Sequence, residues 1–128
     1  MDVKTTFLNG IIEEEVYIEQ PEGFEIFNSE SHVCRLERVL YGLKQAPRAW
    51  YTQINNYFIG LGFTKSEANA NLYQTLVEGK LLIIVLYVDD LILTGDEELI
   101  HSCKEDLAKE FEMKDLGLLH YFLGLQIW

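Results

Sequence analysis

The stretch Leu81-Leu82-Ile83-Ile84-Val85-Leu86-Tyr87-Val88-Asp89-Asp90-Leu91-Ile92-Leu93-Thr94-Gly95 decides how this chain of 128 residues is read. Residues 81–88 form an unbroken apolar run, and a second run, 91–93, ends at Thr94-Gly95. Short continuous runs rich in Ile, Val and Leu read as buried strands. Asp89 and Asp90 then fall at the tip of a hairpin, between strands too apolar to tolerate unpaired charge. Neighbouring like charges raise each other's pKa unless a cation neutralises them. Two carboxylates fixed on a strand-turn-strand suit a hard divalent ion such as Mg²⁺. Asp-Asp is also an ordinary turn dipeptide, so the hairpin alone leaves both readings open.

Outward from the hairpin, the pattern alternates strands with two helices. Upstream, residues 72–77 read as the preceding strand and Glu78-Gly79 as its turn. A helix is expected to begin at Pro47, with Trp50, Ile54, Tyr57, Phe58 and Leu61 on one buried face and Gly60 and Gly62 at its end. Residues 16–19 and 33–40 are β-prone, 25–32 are a polar loop, and 3–10 close on an Asn-Gly turn. Downstream, 97–112 read as a second amphipathic helix carrying Leu99, Ile100, Cys103, Leu107 and Phe111 on its apolar face. Asp96, Glu97 and Glu98 suit its N-terminus. Residues 121–127 look like a final strand. Hairpins interleaved with helices, without a βαβ repeat, favour an α+β fold in one domain, with an antiparallel sheet and both helices on one face.

Composition narrows the function. Ten basic residues against twenty-one acidic ones give a net charge of −11, the opposite of an autonomous nucleic-acid binder. No basic flank and apolar stretch mark a secretory leader, and residues 81–88 are too few for the roughly 20 apolar residues of a membrane span. Cys34 and Cys103 give no disulfide framework, and an intracellular setting is the default. His32-Val33-Cys34 and His101-Ser102-Cys103 have zinc-like ligand types. One pair lies in a strand-like and the other in a helix-like stretch, and positions i and i+2 of a helix do not face each other, so a zinc site is rejected.

Five blocks in order then resemble a family: residues 2–10 (Asp-Val-Lys-Thr-Thr-Phe-Leu-Asn-Gly), 16–24 (Val-Tyr-Ile-Glu-Gln-Pro-Glu-Gly-Phe), 40–51 (Leu-Tyr-Gly-Leu-Lys-Gln-Ala-Pro-Arg-Ala-Trp-Tyr), 86–90 (Leu-Tyr-Val-Asp-Asp) and 121–125 (Tyr-Phe-Leu-Gly-Leu). Together they look like the palm region of reverse transcriptases from copia-type LTR retrotransposons. That resemblance implies a polymerase palm-like sheet over residues 1–128, with fingers and thumb largely absent. It also implies RNA-directed DNA synthesis by two-metal nucleotidyl transfer to a primer 3′-hydroxyl, with two Mg²⁺ ions or Mn²⁺ in their place. On this reading Asp2 bridges the ions, Asp89 is the second main ligand, and Asp90 completes the cluster.

Further roles carry over from the same resemblance. Phe7 would lie under the nucleotide sugar and select deoxynucleotides. Val3 and Lys4 would lend backbone N–H groups to the triphosphate. Lys44, Gln45 and Arg48 would lie along the template and nucleotide, although this chain has Tyr41-Gly42 where retroviral relatives carry Gln-Gly. Tyr87 and Val88 would pack beneath the primer terminus. Lys114 is a candidate proton donor to pyrophosphate, with a plain helix-end charge as the preferred alternative. Asn69 departs from the Asp usual at its position.

The partners implied are RNA/DNA template-primer, dNTPs and the rest of a polyprotein, namely fingers, thumb and RNase H; no membrane is implied. The resemblance places reverse transcription in cytoplasmic particles of the parent element. Because Asp2 stands beside the chain terminus, it is expected to be held loosely, leaving the isolated chain inactive and weak in nucleic-acid binding. The competing expectation is a catalytically inactive remnant serving as an interaction module.

Overall fold

A computed structural model describes residues 1–23, 32–40 and 42–128. The polar loop expected over 25–32 lies outside the described residues except for its last position, as does Tyr41. Contacts gather the chain into two compact units, one made of Met1–Thr5 with Tyr57–Trp128 and the other of Thr6–Asn56.

The first unit holds a six-stranded antiparallel sheet. Its strands are β1 (Asp2–Val3), β4 (Thr64–Lys65), β5 (Leu72–Val77), β6 (Lys80–Tyr87), β7 (Asp90–Gly95) and β8 (Met113–Lys114), ordered β4-β5-β6-β7-β1-β8. Alternation along β6 is clean: Leu82, Ile84 and Leu86 are buried, whereas Leu81 and Tyr87 are exposed. An antiparallel hairpin can leave one face open, and here one face alone is fully packed. Ile84 is paired with Tyr73 on one side and Leu93 on the other, and Leu86 with Leu91. Each fully buried side chain of this size contributes roughly 1.5–3 kcal/mol.

Helix α2 (Glu97–Glu110) packs on β6 and β7 and buries Cys103 and Leu107. Asp96 caps it, its carboxylate accepting from the N–H groups of Glu98 at 3.1 Å and Leu99 at 3.2 Å. The helix stops two residues earlier than the periodicity predicts. Phe111 turns extended and stays buried, its N–H donating to the Leu107 carbonyl at 2.8 Å.

Helix α1 (Ala46–Gly60) starts one residue before Pro47, and its last turn belongs to the first unit. It ends by a mechanism visible in the sequence. Gly62 takes φ 92°, which glycine adopts without a Cβ penalty. Its N–H donates to Ile59 and that of Phe63 to Phe58, both at 3.0 Å. The rings of Phe58 and Phe63 meet at 5.7 Å, completing a Schellman stop with its apolar contact. Phe58 also lies 4.9 Å from Tyr73 of the sheet.

Asn69 has a local structural role. Its side-chain oxygen accepts from the Asn71 N–H at 3.0 Å in the turn between β4 and β5, a bond an aspartate would accept equally well. The terminal stretch 121–127 is not one strand. It folds into a hairpin of β9 (Tyr121–Phe122) and β10 (Leu125–Gln126), with Leu123 and Gly124 both at positive φ.

The second unit comprises a 3₁₀ turn (Thr6–Asn9), the pair β2 (Tyr17–Ile18) and β3 (Cys34–Arg35), and most of α1. The strand expected over 33–40 is thus short, continued only by an Ile11–Arg38 bridge. Gly10 is dictated by space: a Cβ there would sit 2.9 Å from the Ala49 Cβ. Together the units are an α+β structure with a largely antiparallel sheet.

Candidate active site

Strand β1 reaches the aspartate hairpin from the far end of the sequence. It lies between β7 and β8, pairing Asp2 with Asp90 on one side and with Lys114 on the other. Met1 and Leu91 exchange N–H···O bonds at 2.8 and 2.7 Å, and the Val3 N–H donates to the Asp89 carbonyl at 2.9 Å. Asp2 and Asp90 therefore occupy the non-hydrogen-bonded position between these bonds, where facing side chains come closest. Directly opposed residues share a face of the sheet. Tyr87, opposite Asp90 at the close of the β6–β7 hairpin, extends the series. The result is one row across four strands: Tyr87, Asp90, Asp2, Lys114.

The hairpin tip differs in detail from the expectation. The two-residue turn is Val88-Asp89, and Asp90 is already the first residue of β7. Asp89 is exposed while Asp2 and Asp90 are half-buried. Val88 stands at φ 54°, in the left-handed region that a β-branched residue rarely enters. The Tyr87 ring lies 5.6 Å from that of Phe122 in an edge-on contact.

Burial pushes the Asp90 carboxyl above its ordinary value of 3.8, and the charges of Asp89 and Asp2 push it further, partly offset by the chain's amino group. Like charges directly opposed on a sheet are destabilising. Lys114 is the one cation in the row. Among the described residues no three His, Cys, Asp or Glu side chains already form a metal cage. Mg²⁺ is held through one or two carboxylates, with substrate phosphates and water completing its shell, and needs no all-protein cage. The oxygen-only donors of Asp2, Asp89 and Asp90, with the Asp90 carboxyl pushed upward by burial and then by its neighbours, fit such an ion.

Two expectations change here. Asp2 is not loose at a frayed end, because β1 is hydrogen-bonded on both sides. The backbone N–H groups of Val3 and Lys4 are not turned outward for a triphosphate. They donate to Asp89 at 2.9 Å and to Glu112 at 2.8 Å inside the sheet, and the Lys4 ammonium pairs with the Glu112 carboxylate at 3.1 Å. The position of Lys114 also differs from the preferred expectation. It is a strand residue beside Asp2 rather than a helix-end charge, and only the strand pairing reveals this.

The other expected positions lie in the second unit. Phe7 is half-buried in the 3₁₀ turn. Lys44, Gln45 and Arg48 line one groove at the start of α1. Of the cysteines, Cys103 is buried, which pushes its thiol up to about 11, and Cys34 sits in β3.

Comparison with known proteins gives a consistent outcome. A family profile described as "Reverse transcriptase (RNA-dependent DNA polymerase)" matches residues 1–128. The chain is 45% identical over 99% of its length to the retrovirus-related Pol polyprotein from transposon TNT 1-94 of Nicotiana tabacum. It is 43% identical over 98% of its length to that from transposon RE1 of Arabidopsis thaliana, and 40% identical over 99% to a putative transposon Ty5-1 protein of Saccharomyces cerevisiae. It spans 10% and 9% of the two plant polyproteins and 42% of the yeast protein. No solved structure matches it.

Proposed function

Since the chain belongs to the reverse transcriptase family of copia-type retrotransposons, we propose that it is the palm-like catalytic portion of an RNA-directed DNA polymerase within a Pol polyprotein. The observation that carries this reading is the row Tyr87–Asp90–Asp2–Lys114, with Asp89 in the turn that joins Tyr87 to Asp90. Asp2, Asp89 and Asp90 would hold two divalent cations, Mg²⁺ or Mn²⁺. Bound there, such ions supply charge neutralisation at the primer 3′-oxygen and at the leaving pyrophosphate.

The work of the chain's own residues is positional and electrostatic. Asp2 and Asp90 are directly opposed in two paired strands, so the register sends both side chains to the same face of the sheet. Tyr87 and Val88 present the hairpin to the primer terminus. Lys114, beside Asp2, is placed to donate a proton toward the leaving pyrophosphate. For Lys4 the ammonium, not the backbone, is the group left to meet a triphosphate, once released from Glu112. Phe7, in the other unit, is proposed to meet the nucleotide sugar, and Lys44, Gln45 and Arg48 the template and nucleotide.

The test is RNA-templated primer extension by the parent polyprotein with Asp89→Asn. Losing a group that stabilises transition-state charge should lower the rate on the order of a hundredfold or more. Extension at the parent rate would overturn the assignment.

A further inference from the structure

Helix α2 carries a lysine on its packing stripe. Ile100, Cys103, Lys104 and Leu107 recur at the three-to-four spacing of one face, and Cys103 and Leu107 are buried. The Lys104 side chain is 27% exposed, against 43–75% for the lysines of the other described ion pairs. A lysine stem can lie along apolar surface while its charged head reaches a polar partner. That partner is Asp115, whose two carboxylate oxygens accept from the Lys104 ammonium at 3.1 and 2.9 Å. One of those oxygens also accepts the Gly117 N–H at 3.0 Å. These bonds, that of Lys104 first, hold the Asp115 carboxyl below its ordinary value of 3.8.

Asp115 directly follows Lys114, the cation of the carboxylate row, in a stretch with little else to seat it. β8 has two residues and is the last strand of the sheet, paired with the equally short β1. Past it, Leu116, Leu118 and Leu123 are 53%, 86% and 64% exposed. Most of residues 116–123 line an apolar cavity of about 530 Å³, together with Ile100 and Lys104 of α2 and Leu91 to Leu93 of β7. Close packing therefore does not fix this segment on the helix. Phe122, at its far end, meets the ring of Tyr87, the opposite end of the row. The segment is thus held at both ends of the row, by a ring contact at Tyr87 and by the Lys104–Asp115 pair next to Lys114.

We infer that Lys104 is a positioning residue: by clasping Asp115 it keeps β8 on β1 and Lys114 beside Asp2. It acts through Asp115 and the strand, not on substrate. Its effect on catalysis rests on the polymerase reading, whereas its effect on the strand does not.

Amide hydrogen exchange of the whole 128-residue chain in EDTA separates a local role from a general one. The Lys4 N–H donates to Glu112, on the β8 side of β1, and the Val3 N–H donates to Asp89, on the β7 side. Lys104→Met keeps an unbranched apolar stem and removes the charge. It should speed Lys4 exchange roughly threefold to fivefold, the scale of a partly exposed ion pair, and leave Val3 exchange unchanged. Asp115→Asn should do the same, with no further gain in the double variant. Lys104→Arg, which keeps a charged donor, should restore the parent rate. Lys109→Met, which removes an exposed lysine of the same helix, should have no effect. In the parent polyprotein, Lys104→Met should lower the kcat of primer extension severalfold with the nucleotide KM unchanged, because Lys114 acts at the leaving group. Lys104→Arg should restore that kcat. Lys4 exchange unchanged by Lys104→Met, or raised equally with that of Val3, would overturn the inference. So would an unchanged kcat in a polyprotein that Asp89→Asn disables. Extension that survives Asp89→Asn would overturn the polymerase reading alone, and the exchange rates would still decide the clasp.

Discussion

Strand β6 ends in a hairpin turn at each end, and the two turns are built differently. At its start, Glu78 and Gly79 take φ 52° and 79°, the left-handed pair of a two-residue turn that matches strand twist, with glycine in its usual place. At its end the turn is Val88-Asp89, and the residue at φ 54° is a β-branched valine. A left-handed backbone costs an L-residue roughly 1–2 kcal/mol; Glu78 and Val88 both bear that cost, the β-branched valine more heavily. The less strained turn carries no expected function, whereas the more strained one carries the carboxylates. Strain of this kind persists where surrounding structure over-determines it. Here β1 does so, pinning the Asp89 carbonyl through Val3 and flanking Asp90 with Asp2.

The largest difference between the two ends should appear with divalent ions. Millimolar Mg²⁺ should raise the melting temperature of the chain, and Asp2→Asn or Asp90→Asn should remove most of that rise. Glu78→Gln, at the other end, should leave it intact. A rise that survives both aspartate substitutions would place the ion elsewhere.

The next effect is on pH dependence without metal. The folded Asp90 carboxyl titrates above its ordinary value, so the folded state holds its proton more tightly than the unfolded one. Its destabilising contribution is therefore absent below the ordinary carboxylate range and complete once pH has risen through the raised value. Denaturant titration of Asp90→Asn in EDTA should show a shallower fall over that window. At neutral pH the variant should equal the parent or exceed it by up to about 1 kcal/mol, the scale of an opposed like-charge pair. A variant clearly less stable than the parent at neutral pH would contradict the repulsion.

The smallest effect concerns the turns themselves. Val88→Gly should gain about 0.5–1 kcal/mol, the relief of left-handed strain reduced by glycine's greater unfolded-state entropy. Gly79→Ala should lose a comparable amount. Thermal or urea unfolding of the two variants side by side checks the contrast, and matching signs would break it.

Much of this arrangement was legible in the residues. Apolar runs flanking Asp89-Asp90, the Glu78-Gly79 turn, the three-to-four spacing of Trp50, Ile54 and Phe58, and the Asp96 cap all speak through local chemistry. What escaped depends on pairing between distant segments. Nothing near Lys114 in sequence says that it will lie beside Asp2, because a strand of two residues has no periodicity to read. The outward N–H groups expected of Val3 and Lys4 were lost for the same reason: their acceptors, Asp89 and Glu112, are far along the chain. The final hairpin was misread as one strand because Leu123-Gly124 lacks the Asn-Gly or Asp-Gly signature of such turns.

The sheet order has a temporal side as well. β8 joins the sheet only through β1, and β1 joins it only through β7 and β8. On the ribosome, β1 is the earliest of these strands to be made, and its two neighbours are among the last. The hairpins β4-β5 and β5-β6 can close while synthesis continues, whereas Asp2 must wait unpaired until Asp90 and then Lys114 have emerged. Contacts between such distant segments form late, because loop closure precedes their reward. Completion of the sheet thus coincides with assembly of the carboxylate row.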